Sequence, residues 1–465
     1  MTFPVQQDSF ARVVPQRQLG LASAIAAVTG ESIAVGIFLT PAGMAKSLGS
    51  PLWLLIVWLT IGILAICGAL TYGELAARFP RDGGIYVYLF ETFGRRIAFL
   101  YGWMSLLVLD PGLTAALALG LTSYAAYIFP FSPTFTKLIG VCVIWGLCAL
   151  NIVSIQLSAR FLRWTTWLKL AILAFLVIYG FAFHLGSWSN FVPFAGNRSG
   201  TMPLLPGLGA AMVAAFFSFG GWWDVSKISG EILDPGRTLP RAMLLGVAVV
   251  TTIYIAVSAA FLFLVPLAKV TSDETFVAQA GAVLFGSPGG KVFAAIVVVC
   301  VLSSLAALIM SAPRVYFAMA EDGLFLHSVA QIHTRFGTPA KAILVQGLIS
   351  SVLVLVSSFQ QIIAYFIFVA IVFLALAGAG LTTARRRGAG RNPGFSMPMY
   401  PVPLIVFLGL MTLLLLLLVA HSPREAVLGA AVVLAGVPVY SAFRRNGSGP
   451  VFSRKPIVEE VNSQP

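Results

Sequence analysis

The stretch Thr29-Gly30-Glu31-Ser32-Ile33-Ala34-Val35-Gly36-Ile37-Phe38-Leu39-Thr40-Pro41 decides the architecture. It places two glycines, three hydroxyl side chains and a carboxylate inside an apolar run (19–46) long enough to cross a bilayer. A continuous membrane helix gains nothing from such residues there, so the segment reads as a helix interrupted near mid-membrane. Phe217-Ser218-Phe219-Gly220-Gly221-Trp222 interrupts a second apolar run, 204–230, in the same way. The two runs open alike, with Gly20-Leu21 before Ala24 and Gly207-Leu208 before Ala211. Paired broken helices in corresponding positions of two halves point to a transporter's binding site.

The rest of the chain fits a membrane setting. Of 465 residues, 59% are hydrophobic and 10% charged, against about 25% charged in soluble domains. This excludes a soluble enzyme, a disordered chain and a nucleic-acid binder. Apolar runs predict an all-α polytopic protein with twelve spans at 19–46, 51–79, 85–128, 135–155, 159–183, 204–230, 238–266, 283–321, 338–357, 360–384, 401–420 and 424–443. The third and eighth exceed one bilayer thickness and are expected to tilt or project into water. The grouping is a 5+5 inverted repeat, 19–183 and 204–384, with two appended helices at 401–443 and polar ends at 1–18 and 444–465.

The net charge of +13 is explained by basic inner loops. With the N-terminus inside, most basic residues fall on or toward the inner side, Lys169, Lys227 and Arg314 among them. Only Lys46, Lys137, Arg198, Lys269, Lys291 and Arg424 fall outside. Both ends are therefore expected in the cytoplasm, and the protein in the cell's inner (plasma) membrane.

A broken helix frees backbone groups. The half that starts after a break offers N–H groups and a positive dipole end to a carboxylate. The half that ends there offers carbonyls to an ammonium group or a cation. Gly30, Gly36, Gly220 and Gly221 permit that backbone. Acidic residues at membrane depth are Glu31, Asp110 and Asp224, with Glu74 nearer the inner surface. Glu31 can carry a proton, face a substrate amine or cap the second half-helix. Asp224 and Lys227, three apart, are expected to pair. No metal or other cofactor is expected. Cys67, Cys142, Cys148 and Cys300 lie singly in apolar runs, His184, His327, His333 and His421 lack ligand spacing, and there is no phosphate-cradling Gly-Lys-Ser/Thr loop. No catalytic cluster suggests an enzyme.

Five stretches resemble one family in order and spacing. They are Gly36-Ile37-Phe38-Leu39-Thr40-Pro41; Tyr72-Gly73-Glu74-Leu75 with Phe79-Pro80-Arg81-Asp82-Gly83-Gly84-Ile85-Tyr86; Phe99-Leu100-Tyr101-Gly102-Trp103; Phe217 to Trp222 with Gly230-Glu231-Ile232-Leu233-Asp234-Pro235 and Leu239-Pro240-Arg241-Ala242; and Pro313-Arg314-Val315-Tyr316 with Ala318 to Gly323 and Arg335-Phe336-Gly337-Thr338-Pro339. Over roughly 16–440 the chain resembles the amino acid–polyamine–organocation superfamily, its L-amino-acid-transporter-like permeases in particular. The resemblance implies the leucine-transporter-like inverted-repeat fold. It implies a substrate carboxylate at Ala34, Val35 and Gly36, with Gly30 opening the break, and an amino group near Phe217, Ser218 and Gly220. Phe217 would be the gate.

Two departures shape the expectations. Ala34-Val35-Gly36 stands where the family has Gly-Ser-Gly. In segment five, Gln156 is read as replacing a lysine that in many relatives stands in for sodium near helices one and eight. Ser303 and Ser304 match the region of that sodium-like site. Coupling by sodium, by a proton on Glu31, or by exchange alone stays open. The expected activity is secondary amino acid transport, neutral substrates first and cationic amino acids or polyamines second. A non-transporting amino acid sensor is the other class, though the end segments of 18 and 22 residues are short for signalling. The outer loop from Pro130 to Lys137 has no cysteine for a disulfide-linked partner.

Overall fold

A computed structural model describes residues 17–445 apart from 35, 196–202, 266–275, 332, 334, 357–358, 391–393 and 422. The described residues form helices α1 (Leu21–Ser32), α2 (Gly36–Leu48), α3 (Pro51–Arg78), α4 (Ile85–Phe93), α5 (Arg95–Met104), α6 (Asp110–Ile128), α7 (Pro133–Val153) and α8 (Ile155–Ala182). After these come α9 (Leu204–Phe219), α10 (Pro235–Leu264), α11 (Phe276–Ser311), α12 (Pro313–Glu321), α13 (Ala340–Val356), α14 (Phe359–Arg386), α15 (Val402–His421) and α16 (Pro423–Arg445). Nine helical stretches among the described residues are long and apolar enough to cross a membrane, with Ala340–Val356 and Ala426–Ala442 apolar but shorter. The fold is that of an all-helical, polytopic membrane protein.

Local sequence explains the boundaries. Ser132 accepts from the Phe135 N–H and Ser154 from the Leu157 N–H, so each caps the helix that follows it. Pro51, Pro133 and Pro235 sit at helix starts, where the missing N–H costs nothing. Gly94 (φ 85°) ends α4 in a conformation a side chain disfavours. The expected span 85–128 is therefore two pieces: α4 stands apart, and the membrane-length stretch is Arg95–Ile128. Within it, residues Ser105–Leu109 widen to a π-turn immediately before Asp110. The expected span 283–321 is one membrane-length stretch, Phe285–Glu321, which follows a kink at Phe285 and Gly286 and passes from α11 to α12 through a helical Ala312.

α8 shows how the bundle sorts its faces. Leu162, Thr166, Lys169, Leu173 and Leu176 are buried, a three-four spacing that marks one helix face. Trp164, Trp167, Phe175 and Ile178 are exposed, as befits a lipid-facing side. Lys169 is 0% exposed, so it is an interior residue and not an inner-edge loop charge. Lys227 and Arg314 are buried too. The three therefore leave the count of expected inner-loop charges.

α1 lies against α10, α8 and α11, and α2 lies along α9. This brings the two interruptions face to face in the protein interior. Irregular backbone at membrane depth is tolerated only where protein or a cavity satisfies it.

Candidate functional site at two helix breaks

The first helix runs unbroken through Gly30 and Glu31 and ends at Ser32; Ile33 leaves helical geometry (φ −76°, ψ 69°) and α2 begins at Gly36. Gly30 therefore precedes the break and does not open it. A Cβ there would lie 2.7 Å from Thr166 Oγ1 and 2.9 Å from Leu162 Cδ1, so its lack of a side chain serves close packing of α1 on α8. The second break follows Phe219, with Gly220 extended and Gly221 at φ 100°. The chain resumes as a 3₁₀ segment, Asp224–Glu231. A Cβ on Gly221 would stand 2.8 Å from Glu31 Cβ, so only glycine lets the two breaks approach.

Between them lies a cavity of about 20 Å³, room for roughly one water molecule. The breaks contribute Ala34, Gly36, Phe217, Gly220 and Gly221, and α6 and α11 add an apolar wall of Leu113, Leu117 and Leu308. Ser304, Glu31 and Asp224 supply the polar side chains. Of the expected substrate residues, Glu31, Ala34, Gly36, Phe217 and Gly220 converge here. Ser218 sits behind the lining, its Oγ 2.8 Å from Thr40 Oγ1 and donating to Ala214 O. Val35 lies outside the described residues.

The freed carbonyls of the first break are satisfied by Lys169. Its Nζ donates to Gly30 O (3.0 Å), Ile33 O (2.5 Å) and Ser304 Oγ (3.0 Å). The expectation that Gln156 occupies the lysine position is corrected. Gln156 is in the first turn of α8, 13 residues earlier, or about 20 Å along a helix. The lysine that reaches the break is Lys169. Arg160 and Arg163 precede it and suggest an inner edge, which disguises it, yet its three-four spacing with Leu162, Thr166, Leu173 and Leu176 marks the buried face. Ser303 and Ser304 divide. Ser304 reaches the break carbonyls, while Ser303 accepts from Thr165 Oγ1 at 2.9 Å on α8.

Tyr254, on α10, joins the site without any sequence motif to mark it. Its hydroxyl is 2.6 Å from Ser32 O and 2.7 Å from Ser218 O, one carbonyl at each break, and its single hydrogen serves one at a time.

Under the cavity is a charged group. Lys227 Nζ is 2.7 Å from both Asp224 Oδ1 and Asp110 Oδ1. The expected Asp224–Lys227 pair is thus a triplet with Asp110. Asp110 Oδ2 accepts from Ser105 and from the Tyr316 hydroxyl at 3.3 Å. Glu31 Oε1 accepts from Ser311 Oγ at 2.8 Å, and its Oε2 is buried with no hydrogen-bond partner among the described residues. Glu74 has a separate, anchoring role: it binds Arg78, Arg385 and the Met397 N–H.

Three of the sequence motifs meet at one end of the bundle. Asp322 is contacted by Arg81 (3.4 Å) and Tyr86 (3.1 Å), and its carbonyl by Arg95 (2.9 Å). Asp82 accepts from the Gly230 N–H at 2.6 Å, and Glu231 pairs with Arg314 at 3.1 Å. Burial, reinforced by the charge of Glu231, pushes the Asp82 carboxyl up to about 7. Among the described residues no group of three or more His, Cys, Asp and Glu side chains could hold a metal ion.

The amino acid permease family model matches residues 19–443. The chain belongs to that family. This permease is 31% identical over 434 residues to the serine/threonine exchanger SteT of Bacillus subtilis (strain 168), covering 92% of this chain and 97% of that protein. It is 28% identical over 436 residues to the b(0,+)-type amino acid transporter 1 of Mus musculus, covering 92% and 88%. It is 29% identical over 452 residues to the large neutral amino acids transporter small subunit 2 of the same organism, covering 92% and 81%.

Proposed function

We propose that this permease is a secondary transporter that exchanges neutral α-amino acids by alternating access. The observation that carries the reading is the convergence of both helix breaks on one enclosed cavity. There the first-turn N–H groups of α2, which have no intrahelical partner, suit an α-carboxylate. The carbonyl ends of α1 and α9 suit the α-amino group. Leu113, Leu117 and Leu308 suit an uncharged side chain, and Phe217 is the gate above it. Names of the relatives, a serine/threonine exchanger and a large neutral amino acids transporter subunit, agree.

The same proposal assigns twelve spans, the inverted repeats 19–183 and 204–384, and the helices at 401–443. It assigns a place in the cell's inner membrane with both ends in the cytoplasm, supported by the basic inner loops. A second reading, cationic amino acids or polyamines, is favoured by one observation, the two carboxylates Glu31 and Asp224 in the lining.

Counterflow in proteoliposomes tests both. Vesicles loaded with unlabelled amino acid should concentrate labelled L-serine or L-leucine from outside. L-lysine and a diamine serve as competitors. Displacement by L-lysine alone would favour the second reading. No counterflow of any probe by folded protein would refute transport and leave a sensor.

A further inference from the structure

Glu31 is 6% exposed, faces the cavity with Asp224, and has one carboxyl oxygen, Oε2, without a hydrogen-bond partner among the described residues. The groups around it come from every element packed on α1. The 3₁₀ segment brings Asp224 and Lys227, α6 brings Asp110, α11 brings Ser311 and Ser304, α8 brings Lys169 and α10 brings Tyr254. Lys227 is shared between two aspartates, and Lys169 is engaged by carbonyls. Three carboxylates against two ammonium groups leave one negative charge unmatched in the membrane interior. A buried charge of that kind is costly enough that the group neutralises instead. Asp110 and Asp224 each hold an ion pair, whereas Glu31 has a single hydroxyl donor. The unmatched charge therefore falls on Glu31.

We infer that Glu31 is a proton-binding site that couples substrate movement to proton movement. The inference rests on the transport reading above. With the cavity open to the outside, hydronium gives its proton to Glu31 Oε2 and leaves as water. The interior is then electrically balanced and the cavity can close on a neutral amino acid. With the inner side open, the Oε2–H bond breaks and the proton passes to water in the cytoplasm. A proton fits at Glu31 where the side-chain ammonium of a substrate does not. An ammonium needs three acceptors, and beyond the carboxylates the side chains available in the wall are Leu113, Leu117, Leu308 and Phe217, with the Ser304 hydroxyl already bound to the break.

The test uses the full chain in proteoliposomes containing a pH-sensitive dye, with a mixture of L-serine and L-leucine as the probe. Addition outside vesicles that hold no amino acid should acidify the lumen. An outside-acid gradient of one pH unit should raise accumulation toward about tenfold over the gradient-free level for one proton per substrate, and a protonophore should abolish the rise. In Glu31→Gln the ratio of gradient-driven to gradient-free accumulation should fall to one, whatever its absolute rate. Uptake into vesicles free of amino acid without lumenal acidification would overturn the inference while leaving the transport reading intact, as would counterflow with no uptake into such vesicles, and neither needs a variant to fold. A Glu31→Gln protein that keeps its gradient response would overturn it too. So would one that loses only L-lysine transport, which would make Glu31 a ligand for a side-chain ammonium. Absence of counterflow in the wild type would strike the transport reading itself.

Discussion

The closest approach in the site is at Gly36, and enlarging that residue gives the sharpest test of where substrate binds. A Cβ on residue 36 would stand 2.5 Å from Ser218 Cα, 2.7 Å from Ser218 Oγ and 2.8 Å from Ser218 Cβ. Carbon atoms in contact prefer about 3.5–4.0 Å, so the overlap is about 1 Å. One obstructing atom belongs to the backbone, and rotating the serine cannot relieve it. α2 and α9 must separate, which opens the contact that closes the cavity. Overpacking of this kind costs about 1–3 kcal/mol, or about a 5- to 150-fold loss of apparent affinity if it falls on the closed, substrate-holding state. Gly36→Ala should raise KM for counterflow within that range, and Gly36→Val should abolish measurable exchange. Gly146→Ala is the control: nothing lies within 4 Å of that added carbon, so exchange and thermal stability should hold or improve slightly. Gly36→Val with wild-type KM and rate would place the carboxylate site elsewhere.

Lys169→Met should abolish exchange and lower the melting temperature, because Gly30 O and Ile33 O lose the ammonium and keep only Ser304, each under-satisfied buried acceptor costing about 1–3 kcal/mol; for the same reason Ser304→Ala should impair exchange more than Ser303→Ala, read as rates in matched vesicles. Asp82 gives a pH effect with a definite sign. Its carboxyl holds a proton up to about pH 7 when packed beside Glu231, but in water it ionises near its ordinary value, so the closed inner side takes up a proton. Closure should be favoured in acid, weaken as pH rises from about 4 toward 7, and change no further above that; accessibility of a cysteine introduced on the inner loop reports it, and Asp82→Asn should flatten the profile.

The interruptions are legible because glycine, hydroxyl and carboxylate residues clustered inside an apolar run seldom serve an unbroken membrane helix. Their limits are less so. Gly30 looks like the start of the break, yet its carbonyl and missing side chain serve α8, and α1 holds to Ser32. The Asp224–Lys227 pair is legible from its three-residue spacing. Its extension to Asp110 is not, since 117 residues separate Asp110 from Lys227 and only the packing of α6 against the second break joins them. Gln156 misleads because a motif position says nothing of which face of α8 it occupies. Tyr254 carries no sequence signal, since an aromatic in a membrane helix is ordinarily packing or an interface residue. The inner-side motifs are recognisable one at a time, and their meeting at Asp322 and Gly230 is a fact of tertiary structure.

The placement of Tyr254 has a consequence for how the two half-helix pairs move. Its one hydrogen is claimed by two carbonyls, Ser32 O on one broken helix and Ser218 O on the other, and it can satisfy only one. Ser32 O keeps the Ala34 N–H at 2.7 Å as a second donor, so it is not left bare when the hydroxyl turns to Ser218 O. Two arrangements separated by the swing of a single O–H bond form a balance rather than a bolt. A change as small as the arrival of a charged group at either break is enough to tip it, and the motion of one broken helix is thereby registered at the other.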